Sequence, residues 1–305
     1  MTQDLYVGDK QSNRGCLLLI LVATLILCGI FYLVLLRPRS SRKATADKAE
    51  APSAAEAAPA TQSQGPAAAG SDAGLNLVAE ARRLKTEDHL LEAREKALQV
   101  LDSSSHPVAR EEAMRLLGEV NVELVLSPRA MPEKTEYTVQ PGDSLVVLAK
   151  RFNTTVDALR KGNRISGSVI RVNDRMRVFS GTFSIQVGKK ENVLDLFLND
   201  RFFKRYRVGT GEYGRTPVGD FVITEKIAQP TWWRPDGKPV PFGDPENVLG
   251  THWLSLNIPG YGIHGTWEPD TIGKQASAGC IRLLNEEVEE LFTLVPEGTP
   301  VTIKD

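Results

Sequence analysis

The sequence predicts a multidomain chain: one transmembrane helix, an α-helical segment, a small βααβ module and a mostly-β C-terminal domain of sandwich or barrel type. Three observations predict it. An uncharged apolar run occupies Cys16 to Leu36. Apolar residues recur at helical spacing between Leu75 and Leu126. From Thr182 onward short alternating runs dominate, separated by Gly, Pro and Asn turns. A chain of 305 residues is long enough for two or three such units. Its net charge of −1 gives no sign of nucleic-acid binding. The three cysteines show no CxxC or Cys/His spacing of a zinc site, so neither a metal nor an organic cofactor is expected.

The run CLLLILVATLILCGIFYLVLL would form a helix about 31 Å long, enough to cross a hydrocarbon core. A buried globular helix, a cleaved signal peptide and a lipoprotein site at Cys28 are the alternatives. The run is longer than a usual signal h-region and no small-x-small site follows it. Leu27 stands where lipoprotein processing would want a small residue. An uncleaved membrane anchor over 16–36 is therefore expected, with 1–15 as a cytoplasmic tail. Lys10 and Arg14 precede it, whereas Arg37, Arg39, Arg42 and Lys43 follow. That count places the Arg37–Lys43 side in the cytoplasm. The function read from the C-terminal half needs the same side outside, in the periplasm or cell wall, and external placement is the expectation retained.

Residues 37–74 read as a linker. From Ala44 the composition is almost wholly Ala, Pro, Ser, Gly and small polar residues, which cannot offset the entropy of ordering. As a flexible coil its ends would lie about 30 Å apart. Residues 75–130 then read as two or three antiparallel helices. Leu90, Leu91, Ala97, Leu98 and Leu101 share one face, and Ala113, Leu116, Leu117, Val120 and Leu124 share another. SSSHP separates the two runs, and Pro107 suits a first helical turn. A spacer or packing role is the plain reading, a partner-binding groove the alternative.

Residues 136–181 read as strand, helix, helix, strand. Tyr137 and Val139 alternate, PGD turns, and Asp143 is placed to cap a helix whose apolar face is Leu145, Leu148, Ala149 and Phe152. Thr154 and Asp157 resemble a capping box for the second helix, which ends at KGN. MRVF closes the module. Over nearly its full length it resembles the LysM family, through Tyr137, Val139, Gly142, Asp143, Ser144, Leu145, Ala149, Phe152, Leu159 and Asn163. The resemblance implies binding of peptidoglycan glycan strands between Gly142–Ser144 and roughly Asn163–Gly167, with Gly142, Asp143, Ser144, Asn163 and Ile165 as candidate contacts. Arg177-Val178-Phe179 departs from the family's usual apolar-Val-Pro ending.

In residues 182–305, FSIQV, VLDLFL, FFKRYRV, GDFVIT, HWLSLN and TPVTIKD read as strands. NEEVEELFTLV is the one clear helix, with Asn285 as its expected N-cap. The domain holds one thiol, Cys280, and two imidazoles, His252 and His264. A thiol becomes a nucleophile where a base or positive surroundings take its proton. Gly279 lets the chain turn so that the Gly279 and Cys280 amides converge on an oxyanion. Arg282 adds positive charge near a thiolate or a substrate carboxylate. From these residues alone a buried, inert Cys280 fits equally well.

Three strings in order, RTPVGDFVI, GIHGT and SAGCIRL, resemble the YkuD-type L,D-transpeptidase domain. His264, Gly265, Ser277, Gly279, Cys280, Ile281 and Arg282 match its pattern, whereas Ala278 stands where the family usually has a second histidine. The resemblance implies a Cys280 nucleophile, His264 as general base and the Gly265 carbonyl orienting the imidazole. It also implies a reaction: a thioester formed on a tetrapeptide stem with loss of D-Ala, then resolved by an amine of a neighbouring stem to give a 3→3 cross-link. Water as acceptor, attachment or release of proteins, and a glycan-binding scaffold that has lost activity are the alternatives. The tryptophans of QPTWWRP are expected over the cleft.

Overall fold

The computed structural model describes residues 67–305. The expected tail 1–15, the anchor 16–36 and the linker as far as residue 66 lie outside the described residues. Among those described, no helix is long and apolar enough to cross a membrane.

Three helices come first: α1 (Ala67–Thr86), α2 (Leu90–Ser103) and α3 (Pro107–Leu126). Helix α1 begins within the stretch read as linker, because alanine is both the mark of that composition and the best helix former. Pro107 opens α3, and His106 caps it by accepting from Ala109 N at 3.3 Å. The module follows as β1 (Lys134–Thr138), α4 (Leu145–Arg151), α5 (Val156–Gly162) and β2 (Arg175–Phe179), with β1 and β2 antiparallel. It has its own core of Val139, Leu145, Leu148, Leu159, Met176 and Val178. Both expected caps move by one residue. Ser144, not Asp143, accepts from Val147 N at 3.2 Å, and Thr155, not Thr154, accepts from Ala158 N at 2.9 Å.

The C-terminal strands are β3 (Phe183–Gly188), β4 (Val193–Leu198), β5 (Arg201–Arg207), β6 (Thr210–Gly211), β7 (Gly219–Ala228), β8 (Trp232–Trp233), β9 (Pro239–Val240), β10 (His252–Leu256), β11 (Gly262–His264), β12 (Gln275–Ser277), β13 (Ile281–Arg282) and β14 (Pro300–Lys304). Helix α6 (Asn285–Leu294) lies between the last two. Eight strands form one curled mixed sheet in the order β13-β11-β10-β7-β14-β3-β4-β5, in place of two stacked sheets. The turn is made within β7, whose first half pairs with β14 and whose second half pairs with β10. There the register slips, so that Leu256 faces Ile223 while Ser255 faces Glu225, leaving Thr224 as a bulge.

One continuous core joins the helices to this sheet. Leu117, Val120 and Leu124 of α3, Leu196 and Phe203 of the sheet, and Val288 and Leu291 of α6 are all buried in it. Strand β5 is the sheet's edge, and α3 covers it: Asn121 Nδ2 donates to the Phe203 carbonyl at 2.9 Å. The module docks by α5 on α6. Thr155 Oγ1 donates to the Thr293 carbonyl, and Lys161 Nζ donates to Thr293 Oγ1 at 3.3 Å. Asn285, expected as the N-cap of α6, is its first helical residue. Its side chain instead accepts from Thr251 N at 3.1 Å and donates to Thr266 O at 3.0 Å, tying the loop after β11 to the helix.

Candidate active site

Period-two alternation sorts the residues of β7, β10, β11 and β13 onto two faces. Leu254, Ile263 and Ile281 point into the core beneath α6. Their neighbours form two rows on the other face. Ile227, Trp253, His264 and Arg282 make one row by direct strand pairing. Glu225, Ser255 and Gly262 make the next, and Cys280 continues it, one step before the parallel pair Ile263↔Ile281. His264 and Cys280, sixteen residues apart in sequence, thus meet on one face because β11 and β13 are adjacent and parallel.

His264 is buried at 3% exposure beneath Trp253, whose ring stacks on the imidazole at 5.6 Å and 26°. Its Nδ1 lies 2.6 Å from the Gly265 carbonyl, so Nδ1 carries the proton and Nε2 is the basic nitrogen. Burial pushes its pKa down to about 4. The Gly265 and Leu249 carbonyls pull the other way, and Arg282 reinforces the fall. Burial also pushes the Cys280 thiol up, against the Gly262 amide and the Arg282 charge, which both favour the thiolate. The resting pair is therefore a neutral thiol and a neutral imidazole.

The loop carrying the thiol is held by the Ser277 side chain. Ser277 Oγ donates to the Cys280 carbonyl at 2.6 Å and accepts from Gly279 N at 3.1 Å. Thr216 Oγ1 donates to the Gly279 carbonyl at 2.9 Å and accepts from Gly211 N at 2.8 Å. Of the two amides expected at an oxyanion, that of Gly279 donates within its own loop, while the Cys280 amide bonds no protein acceptor among the described residues. Gly279 is needed for its backbone instead. Its φ is +138°, and a Cβ there would stand 2.7 Å from the Tyr261 ring. Ala278 is exposed, and the side-chain hydrogen bonds that hold the loop come from Ser277 and Thr216. Arg282 is less free than expected, since its guanidinium pairs with Glu268 at 2.9 Å.

A cleft of about 630 Å³ opens from Cys280 along this face. Trp232 and Trp233 of the β8–β9 hairpin line it together with Trp253, Leu249 and Glu225. The alternation in HWLSL already placed Trp253 and Ser255 on one face, the signal by which sequence reading could have found them.

In the small module the candidate glycan contacts are largely committed elsewhere. Asp143 accepts from Tyr137 Oη at 2.6 Å and Gln140 N at 2.8 Å and pairs with Arg151 at 3.2 Å. Ser144 is a helix cap, and Ile165 packs on the module's core. Asn163 bridges α5 to β2, donating to Leu159 O and Arg177 O and accepting from Arg177 N. Only Gly142 stands in open space with its backbone exposed. These side chains build the module, and Asn163 also lines a cavity beside Tyr137, Met176 and Arg177.

A thiol, an oriented imidazole and an unengaged amide at the end of an aromatic cleft define a site suited to covalent acyl transfer. The L,D-transpeptidase catalytic domain model matches residues 182–303, and the LysM domain model matches residues 137–179. The YkuD protein of Bacillus licheniformis, named as an L,D-transpeptidase, is 35% identical over 176 residues, covering 55% of this chain and 97% of that protein. Its Bacillus subtilis namesake is 35% identical over 174 residues, with the same coverage. The chain belongs to the L,D-transpeptidase family. Among solved structures, the catalytic domain of the Enterococcus faecium L,D-transpeptidase is 25% identical, covering 40% of this chain and 96% of that one, with a TM-score of 0.34. An L,D-transpeptidase from Mycobacterium smegmatis is 18% identical, covering 44% and 65%, with a TM-score of 0.36.

Proposed function

We propose that the protein forms 3→3 cross-links in peptidoglycan outside the cytoplasm, through a thioester on Cys280. One observation carries the reading: Cys280 and His264 share the face of the sheet at the end of the cleft, with His264 Nδ1 fixed on the Gly265 carbonyl. A tetrapeptide stem lies along the cleft with the carbonyl of its third residue at the sulfur. Nε2 of His264 takes the thiol proton as Sγ adds to that carbonyl, and the Cys280 amide faces the resulting oxyanion. Collapse expels D-Ala, whose amine receives the proton from the imidazolium. The amine of a second stem then adds to the thioester, giving up its proton to His264, and the thiol is released.

The imidazolium that forms is poorly tolerated at so buried a site, which keeps its lifetime short and favours handing the proton on. The LysM domain would hold the glycan while the cleft receives its stems. Incubation with disaccharide-tetrapeptide followed by mass spectrometry tests the reading. The native chain should release D-Ala and yield cross-linked dimer, and Cys280→Ala should yield neither. Free D-Ala with only tripeptide product would make water the acceptor. No reaction at all would leave the degenerate scaffold.

A further inference from the structure

Within the cleft that opens from Cys280, one other side chain is ionisable. Glu225 lines it, is exposed, and forms no ion pair among the described residues. Its direction is not what β7 would give by simple alternation. Ile223 is buried in the core, so a regular strand would turn Glu225 the same way. The bulge at Thr224 breaks that alternation: Ile223 pairs with Leu256 in the core, while Glu225 pairs with Ser255 on the cleft face. Bulges commonly re-aim a side chain beside a functional site. The next residue, Lys226, returns to the core side, where its ammonium caps α6 at the Phe292 and Val295 carbonyls, at 2.5 and 2.7 Å. It therefore leaves the carboxylate beside it without a partner.

The surroundings define the ligand. Three indoles, Trp232, Trp233 and Trp253, line the same cleft. A carboxylate among aromatic faces is the chemistry that selects an organic ammonium, by a charge-assisted hydrogen bond and by attraction to the ring quadrupoles. The row Glu225–Ser255–Gly262–Cys280 crosses three strand spacings, so the two ends lie about 14 Å apart at Cα. That is too far for Glu225 to touch the reacting carbonyl. Both side chains project from the same face, and a donor side chain with an ammonium on a stem of about four carbons extends from the reacting residue toward the carboxylate.

We infer that Glu225 is a specificity-determining residue that binds the side-chain ammonium of the donor stem's third residue, the one acylated on Cys280. This rests on the reading above that a stem peptide is the donor.

The test is D-alanine release from two soluble tetrapeptide donors, alike except that one carries a free side-chain amine at the third position and the other an N-acetylated one. The native chain should prefer the free amine by about tenfold or more in kcat/KM, chiefly through KM. In Glu225→Gln the ratio should fall toward one, and in Glu225→Asp part of it should return. Equal use of both donors by the native chain would overturn the inference. So would a Glu225→Gln variant that keeps the native ratio, or one that slows both donors alike, which is what a structural role would give. Failure of the native chain to release D-alanine from either donor would instead overturn the peptide-donor reading, and the inference with it.

Discussion

His264 should make the protein less stable in acid, by an amount the structure sets. Its ordinary pKa of 6.5 falls to about 4 in the buried site. A histidine depressed by burial binds fewer protons folded than unfolded, so its contribution is complete above pH 6.5 and is lost as pH falls through that window. The shift from 6.5 to about 4 corresponds to about 3 kcal/mol between pH 7 and pH 4. His264→Asn is the informative perturbation: it does not titrate, and its amide can still donate to the Gly265 carbonyl. Urea unfolding followed by tryptophan fluorescence, at several pH values, gives the stability of both proteins. Every other titrating group, His252 included, is common to both and cancels in the difference. The native protein should lose about 3 kcal/mol more than the variant between pH 7 and pH 4. Parallel curves over that interval would refute the argument that the imidazole is held neutral by burial.

Four further outcomes are expected. Cys280→Ala should abolish D-Ala release and any covalent adduct in the intact mass while leaving the unfolding midpoint near native. His264→Ala should reduce kcat by about 10²–10⁴-fold, measured with the same donor. Ser277→Ala orphans the Gly279 amide and the Cys280 carbonyl, so it should cost about 1–3 kcal/mol in urea unfolding and slow acylation as well. Leu117→Ala, in a helix remote from the thiol, should cost about 2–5 kcal/mol, and a single unfolding transition should carry the catalytic sheet with it because the core is shared.

Much of this architecture was legible from local pattern. The strand and helix assignments after Thr182 follow from alternation and periodicity, and both depend only on neighbouring residues. What escaped depends on partners far along the chain. Asn285 looked like a helix cap because capping chemistry is local, yet its amide is claimed by Thr251 and Thr266. Asp143 and Thr154 lost their caps to the next residue, since adjacent hydroxyl and carboxyl side chains compete for the same amides. The bulge at Thr224 has no signature in GDFVITEKIA; it exists because β10 meets β7 out of step. In the site, His264 and Cys280 stood out by rarity and resemblance. Nothing in SAGC shows that Ser277 Oγ accepts from the Gly279 amide, because that bond depends on how the loop folds back on itself.

The clasp of α5 on α6 through Thr155, Lys161 and Thr293 makes the small module and the catalytic domain a tool with one handle. A jointed tool could sweep its blade over many positions while its grip stayed put. Here grip and blade share one clasp, so under the proposed function a strand seated on the module would offer the cleft chiefly the stems whose height and helical phase along that strand suit the docked geometry. The protein would then act as a gauge as well as a cutter, favouring stems at a regular interval. Loosening the clasp, as by Thr155→Ala with Lys161→Ala, should broaden the spacing of cross-links along a strand without changing their chemistry.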